Sequence, residues 1–216
     1  MPKSSLPAEE RIEGGYVWSD AGPEGSHSYL CPEALRLLAR RNLAVADQRL
    51  FDLGCGNGAL TAVMASHGWQ TVGVDVSEAG IRQARTAHPE LHFEVGNVYD
   101  DLAGRFGSFP VVLSLEVVEH VYSPQRYAKT LYSLVGEGGV AIVSTPYHGY
   151  WKNLAMAVSG RLDTHFTALW EHGHIKFWSM KTLTVLLKEA GFRDVAFSRV
   201  GRIPILAKSM IAVARK

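Results

Sequence analysis

The feature that most constrains this chain is a glycine turn set between a strand pattern and a helix pattern. Asp52-Leu53-Gly54-Cys55-Gly56-Asn57-Gly58 follows the apolar run RLFDLG (49–54) and leads into ALTAVMASHG (59–68), a helix pattern ended by Gly68. Only glycine lets a backbone come this close to a ligand, and strand-turn-helix is the context in which that approach is useful. A second strand, TVGVDV (71–76), carries Asp75 near its end. The acid stands roughly 20 residues after the turn, where a carboxylate can accept both ribose hydroxyls of an adenosine.

The pattern then repeats. A helix near 77–87 stops before Pro89, and LHFEVGNV (91–98), VVLSLEVV (111–118) and VAIVST (140–145) read as three further strands. PQRYAKTLYSLV (124–135) is the helix between the last two, stopped by GEGG. Upstream, PEALRLLARR (32–41) has helical periodicity with Pro32 near its first turn. Downstream, a helix near 180–190 is capped by Gly191, and DVAFSRV (194–200) and KSMIAVAR (208–215) close the chain as strands. Alternating strand and helix means a parallel sheet covered on both faces. With 216 residues, 47% hydrophobic and 20% charged, the chain is sized for one domain and is no disordered polymer. We place an N-terminal arm at 1–30, its first 26 residues rich in Pro, Gly, Ser and charge, and a single domain at 31–216. The stretch 147–178 breaks the strand-helix rhythm and reads as an insertion.

The turn is G-x-G-x-G with an acid, Asp52, before it, not the G-x-G-x-x-G of a dinucleotide site. An acid facing the ligand opposes a pyrophosphate and suits a charged amino group. FDLGCGNG with VGVDVS resembles the first two motifs of class I S-adenosylmethionine-dependent methyltransferases, and the resemblance runs from about Cys31 to Lys216. It implies an α/β, Rossmann-like doubly wound seven-strand sheet of order 3-2-1-4-5-7-6, the last strand antiparallel, with a substrate-covering insertion after strand five. It also implies S-adenosylmethionine as cofactor and S-adenosylhomocysteine as product. Gly54, Gly56 and Gly58 then approach the methionine part, Asp75 holds the ribose, and Val76 flanks the adenine with Asn97 and Val98 opposite. Asn97 stands where many members have Asp, and Leu115 lines the cofactor through its backbone.

Strand four runs into Glu116-Val117-Val118-Glu119-His120. On a helical turn, 116, 119 and 120 share one face, and two carboxylates with an imidazole suit Mg²⁺ or Mn²⁺, with other divalent ions tolerated. His172 or His174 closes such a site. The segment resembles both the ubiquinone-biosynthesis O-methyltransferase family and the small-RNA 3′-terminal 2′-O-methyltransferase family. Both resemblances imply metal-assisted methylation of a hydroxyl beside another oxygen. Distance to Phe177 selects His172 as ligand, and distance to Trp178 selects His174. A metal-free reading stands beside this one: Glu119, His120 and His174 as catalytic groups, with His120 as general base.

Tyr147, His148, Tyr150, Trp151, His165, Phe166 and Trp170 give the insertion aromatic faces with polar tips. Such faces line small-molecule pockets, stack bases, or rest on a membrane surface. By a looser resemblance, Tyr16, Trp18 and His27 of the arm help close the cofactor site. The expected acceptor is a small oxygenated molecule of quinol, phenol, catechol or sugar type. RNA 2′-O-methylation, N- or C-methylation and a non-catalytic methyltransferase-like partner module are the alternatives. Lys plus Arg, 22, balances Asp plus Glu, 21, which argues against a partner as highly charged as duplex nucleic acid. Cys31 and Cys55 suggest neither a disulfide framework nor a zinc site. With no apolar signal region and no run of ~18–20 apolar residues, the expectation is a cytoplasmic monomer or homodimer. Peripheral contact at the inner membrane surface through 147–178 is part of that expectation.

Overall fold

Seven strands hydrogen-bond into one sheet of order β3-β2-β1-β4-β5-β7-β6 in a computed structural model, which describes residues 22, 25–40, 47–166, 168–169 and 173–216. Tyr16, Trp18, Trp170 and His172 lie outside the described residues. The strands are β1 Arg49–Leu53, β2 Gln70–Asp75, β3 His92–Val95, β4 Phe109–Leu115, β5 Val135–Pro146, β6 Val195–Val200 and β7 Ser209–Arg215. The first five run parallel, and β7 slots antiparallel between β5 and β6. The expected order and strand directions therefore hold.

Helices cover both faces, so the central strands are apolar almost throughout. On β4 the alternation sorts the side chains between the two layers. Val111 and Leu113 meet Leu30, Leu37 and Met64 from α1 (His27–Arg40) and α2 (Ala59–Ser66). Val112 faces the other way, into a core with Tyr127 and Leu131 of α5 (Pro124–Leu134) and Leu187 of α8 (Met180–Glu189). α3 (Glu78–Ala87) begins at Ser77, whose hydroxyl accepts the Gly80 N–H, and buries Ile81 and Ala84 against Phe93 and Cys55.

Four boundaries differ from the sequence reading, each for a local reason. α1 starts at His27, ahead of the start near Pro32 that periodicity suggested; Leu30 is fully buried and Pro32 sits inside the helix. β3 ends at Val95 because Asn97 turns the chain, its Oδ1 accepting the Tyr99 N–H at 3.1 Å. β4 stops at Leu115, not Val118, because Glu116 takes a left-handed φ of 56°. β5 begins at Val135 and absorbs the GEGG segment. A short helix not foreseen, α4 (Leu102–Phe106), is capped by Asp101, which accepts the Gly104 N–H.

The insertion leaves the C-terminal end of β5 and forms α6 (Tyr150–Val158) and α7 (Leu162–Phe166). It thus lies at the edge where doubly wound sheets bind ligands. No helix among the described residues is long and apolar enough to cross a membrane.

Candidate active site

The glycine turn is tied to the end of β2. Gly54 and Cys55 N–H both donate to the Val74 carbonyl, at 2.8 and 3.1 Å. Gly56 N–H donates to Asp75 Oδ2 at 2.9 Å and Ser77 N–H to Oδ1 at 2.8 Å. Burial raises the Asp75 carboxyl above its ordinary value, and these N–H donors pull it back down. Gly54, Gly56 and Gly58 have φ of 85°, 57° and 79°. A side chain at Gly54 would strike Val117, and one at Gly58 would lie 2.7 Å from Ala84. The turn therefore brings bare backbone to the strand ends, as a cofactor's close approach requires.

Asp52 departs from the outward-facing acid of the sequence reading. It is 1% exposed, and its Oδ2 takes the Thr61 hydroxyl of α2 at 2.6 Å, so it braces the turn from within. Burial pushes its carboxyl up to about 7, opposed by Thr61. Thr61 was not anticipated; its place on the first turn of α2, opposite a strand-end acid, was the available signal. Val76, at 51% exposure, leaves apolar surface just past Asp75, where an adenine ring could lie. Asn97 and half-buried Val98 come off β3 beside it, with the Asn97 oxygen already engaged by Tyr99. Leu115 ends β4. The arm reaches this region, since Asn57 Nδ2 donates to the Gly22 carbonyl at 2.9 Å. His27 is more than half buried on α1, and burial lowers its pKa.

The segment after β4 is a turn, not a helix, and this separates the two acids. Glu116 N–H bonds Ser144 Oγ at 2.9 Å, and the Ser144 hydroxyl donates to Glu116 Oε1 at 2.8 Å. Ser209 reaches Oε2 at 3.4 Å. Glu116 thus points to the β5–β7 side, and burial holds its carboxyl up at about 7. The expected single helical face of 116, 119 and 120 does not form.

Glu119, His120 and His174 do come together. One ligand-capable atom from each lies within 4.8 Å of the others. The His120 and His174 rings meet edge to face at 4.9 Å. Glu119 is fully buried with neither carboxylate oxygen hydrogen-bonded, and burial and then Glu116 push its pKa well up. Ionising a carboxyl this deeply buried is costly unless something positive completes the site it shares with the two imidazoles. Burial, then His120 and His165, hold His174 at about 4, so it is neutral at pH 7. His174 is brought here because the Glu119 carbonyl accepts Ile175 and Lys176 N–H at 3.0 and 2.9 Å.

On the insertion side, His148 lies 5.6 Å from His165 and 5.2 Å from Phe177, ring to ring, and Phe166 lies 4.9 Å from Phe177. Tyr150 and Trp151 instead face outward, at 73% and 60% exposure. The arrangement can hold an adenosine-bearing cofactor across the ends of β1 and β2. It can also present an acceptor group over Glu119, His120 and His174.

A family model described as a methyltransferase domain matches residues 24–196. The ubiquinone biosynthesis O-methyltransferase of Ruegeria pomeroyi is 34% identical over 154 residues, covering 69% of this chain and 62% of that protein. The protein of the same name from Ruegeria sp. is 34% identical over 173 residues, covering 77% and 69%. An S-adenosylmethionine-dependent methyltransferase from Mesorhizobium loti has the same fold, with a TM-score of 0.63 at 20% identity over 85% of this chain and 96% of that one. The chain spans about 62% and 69% of the length of these two curated relatives.

Proposed function

Because the chain belongs to the S-adenosylmethionine-dependent methyltransferase-domain family, we propose that it transfers the cofactor's methyl group to a hydroxyl of a small oxygenated acceptor of phenol, catechol, quinol or sugar type. The observation that carries this reading is the convergence of buried Glu119 with His120 and His174 at the strand ends. The relatives' printed names, which specify O-methylation, support the acceptor atom.

S-adenosylmethionine supplies a methyl on a sulfonium centre, open to in-line displacement. The chain's part is to align the acceptor oxygen and take its proton. The Gly54–Gly58 turn gives a backbone cradle, Asp75 a carboxylate for the ribose, and Val76 a flat apolar contact for the adenine. Glu119, His120 and His174 orient the acceptor hydroxyl.

The same three side chains fit a divalent cation. One carboxylate and two imidazoles, with Glu116 turned away, form a set better suited to Mn²⁺ or another transition ion than to Mg²⁺, which prefers oxygen ligands. A cation there would lower the pKa of a bound hydroxyl. Neutral His174 is in its ligating form, and a cation would displace the proton that burial keeps on Glu119, whose oxygens have no hydrogen-bond partner.

Methyl transfer to a panel of catechol, quinol, sugar and RNA, with and without EDTA, tests this reading. O-methylation of the small acceptors is expected, lost on chelation. Transfer to RNA alone would move the assignment to the ribose 2′-hydroxyl, and transfer to carbon or nitrogen would move it to another atom. Failure to bind S-adenosylmethionine would leave only a partner module.

The outer face of the insertion supports a second element of the proposal, peripheral membrane contact. α6 buries none of its nine residues. Tyr150, Trp151, Leu154 and Val158 are exposed on it, and α6 contacts the turn that exposes Ile203, Ile205 and Leu206. Exposed Arg161, Arg199, Arg202 and Lys208 accompany this apolar surface. Apolar side chains with accompanying cations suit an anionic bilayer surface.

A further inference from the structure

The insertion carries a cation that the chemistry above does not use. Lys152 lies on α6, where a lysine ordinarily runs its ammonium out to water. Here it turns inward: Nζ donates to the Tyr147 carbonyl at 2.9 Å and the Lys208 carbonyl at 3.5 Å. The ammonium therefore sits at the ends of β5 and β7. It is half-buried, and burial, then Arg202, lower its pKa, with Glu116 opposing them. A cation partly withdrawn from water gains from an anion beside it. Among the described residues no carboxylate lies within ion-pair distance of Lys152. Glu116, the acid that Lys152 does influence, already accepts from Ser144 and Ser209.

The surroundings of Lys152 lead back to the reacting turn. His148 is held at about 4 by burial, then by Lys152, His165 and His174, and His165 is lowered by burial and Lys152. The imidazoles near the ammonium are therefore neutral at pH 7, and neither competes with it for an anion. Phe166 and Phe177 complete the ring cluster beside them. From there His174 leads to His120.

We propose that Lys152 is a specificity-determining residue that receives a carboxylate borne by the methyl acceptor, with the acceptor's oxygenated ring lying along His148, Phe166 and Phe177. The inference rests on the acceptor site proposed above. A single ammonium with two of its three hydrogens on carbonyls suits a monoanion better than a phosphate, which calls for more donors.

Calorimetric titration of the full chain loaded with S-adenosylhomocysteine tests this. The probes are 3,4-dihydroxybenzoate and its uncharged counterpart 3,4-dihydroxybenzyl alcohol. The wild-type protein should bind the benzoate at least about tenfold more tightly, the scale expected of one charge-assisted contact. Lys152→Met should erase that preference by weakening the benzoate alone, and Lys152→Arg should retain it. Equal affinities in the wild type, no binding of the benzoate, or a preference that survives in Lys152→Met would overturn the proposal. The wild-type comparison decides the matter even if Lys152→Met folds poorly. Absence of S-adenosylhomocysteine binding to the wild type would remove the methyltransferase reading, and this proposal with it.

Discussion

Trp178 Nε1 donates to the Val118 carbonyl at 3.0 Å, across 60 residues of chain. The bond fastens the return of the insertion to the turn that carries Glu119 and His120, and the Ile175 and Lys176 amides fasten it again on Glu119. Trp178→Phe keeps most of the apolar contact but leaves the buried Val118 carbonyl unpaired. It should cost about 1–3 kcal/mol of stability. Denaturant unfolding measures that loss, and methyl-transfer rates should fall while S-adenosylhomocysteine affinity holds.

Asp75→Ala should weaken cofactor binding by roughly 1.5–3 kcal/mol, about 10- to 150-fold, through loss of charge-assisted ribose contacts. The Gly56 and Ser77 amides lose their acceptor in the same variant, so the turn loosens as well. Calorimetry with S-adenosylmethionine checks this. An unchanged affinity in the folded variant would take Asp75 out of the cofactor site.

Asp52 makes stability depend on pH. Its folded pKa of about 7 lies above the ordinary 3.8. Between those values the unfolded chain has lost the proton and the folded chain keeps it, so this contribution falls as pH rises through the window and levels off above about 7. Asp52→Asn cannot ionise and can still accept from Thr61. Melting of cofactor-free protein should show a flatter profile between pH 4 and 7 in the variant. Parallel profiles would mean that Asp52 is ionised in the fold.

The strand order was legible through the resemblance that FDLGCGNG and VGVDVS carry, and the shape of the glycine turn through local backbone chemistry. Gly54, Gly56 and Gly58 fit a turn of positive φ, and Asp75 is fixed by its place at the end of a strand. The geometry of the turn after β4 was only half legible. Reading Glu116, Glu119 and His120 at helical spacing assumed a helix, whereas the left-handed φ of Glu116 arises from Ser144 and Ser209, on strands 28 and 93 residues away. The inward turn of Lys152 was hidden for a related reason: its partners are carbonyls, which carry no side-chain signature. Asp52 was read as facing the ligand because spacing gives its place on the strand but not the Thr61 contact that buries it.

The exposed apolar face of α6 gives a prediction about surfaces. The protein should float with vesicles containing anionic lipid, and Trp151→Asp should reduce that binding by about tenfold without lowering the melting temperature, since Trp151 is 60% exposed. Binding in both proteins at equal strength, or in neither, would detach the insertion from any lipid role.

The account stands most directly on Glu119. Turnover of S-adenosylmethionine with catechol, followed as O-methylated product by mass spectrometry, should be compared in the wild type and Glu119→Gln. The variant keeps the shape of a fully buried carboxyl and removes its ability to give or take a proton. The wild type is predicted to release the O-methyl product, and Glu119→Gln to do so at least about 100-fold more slowly, the lower end of the effect of a positioned catalytic group. S-adenosylhomocysteine affinity should stay within about twofold, because the contacts proposed for that ligand lie at the glycine turn and Asp75. Glu119→Gln forming product at the wild-type rate would contradict the assignment.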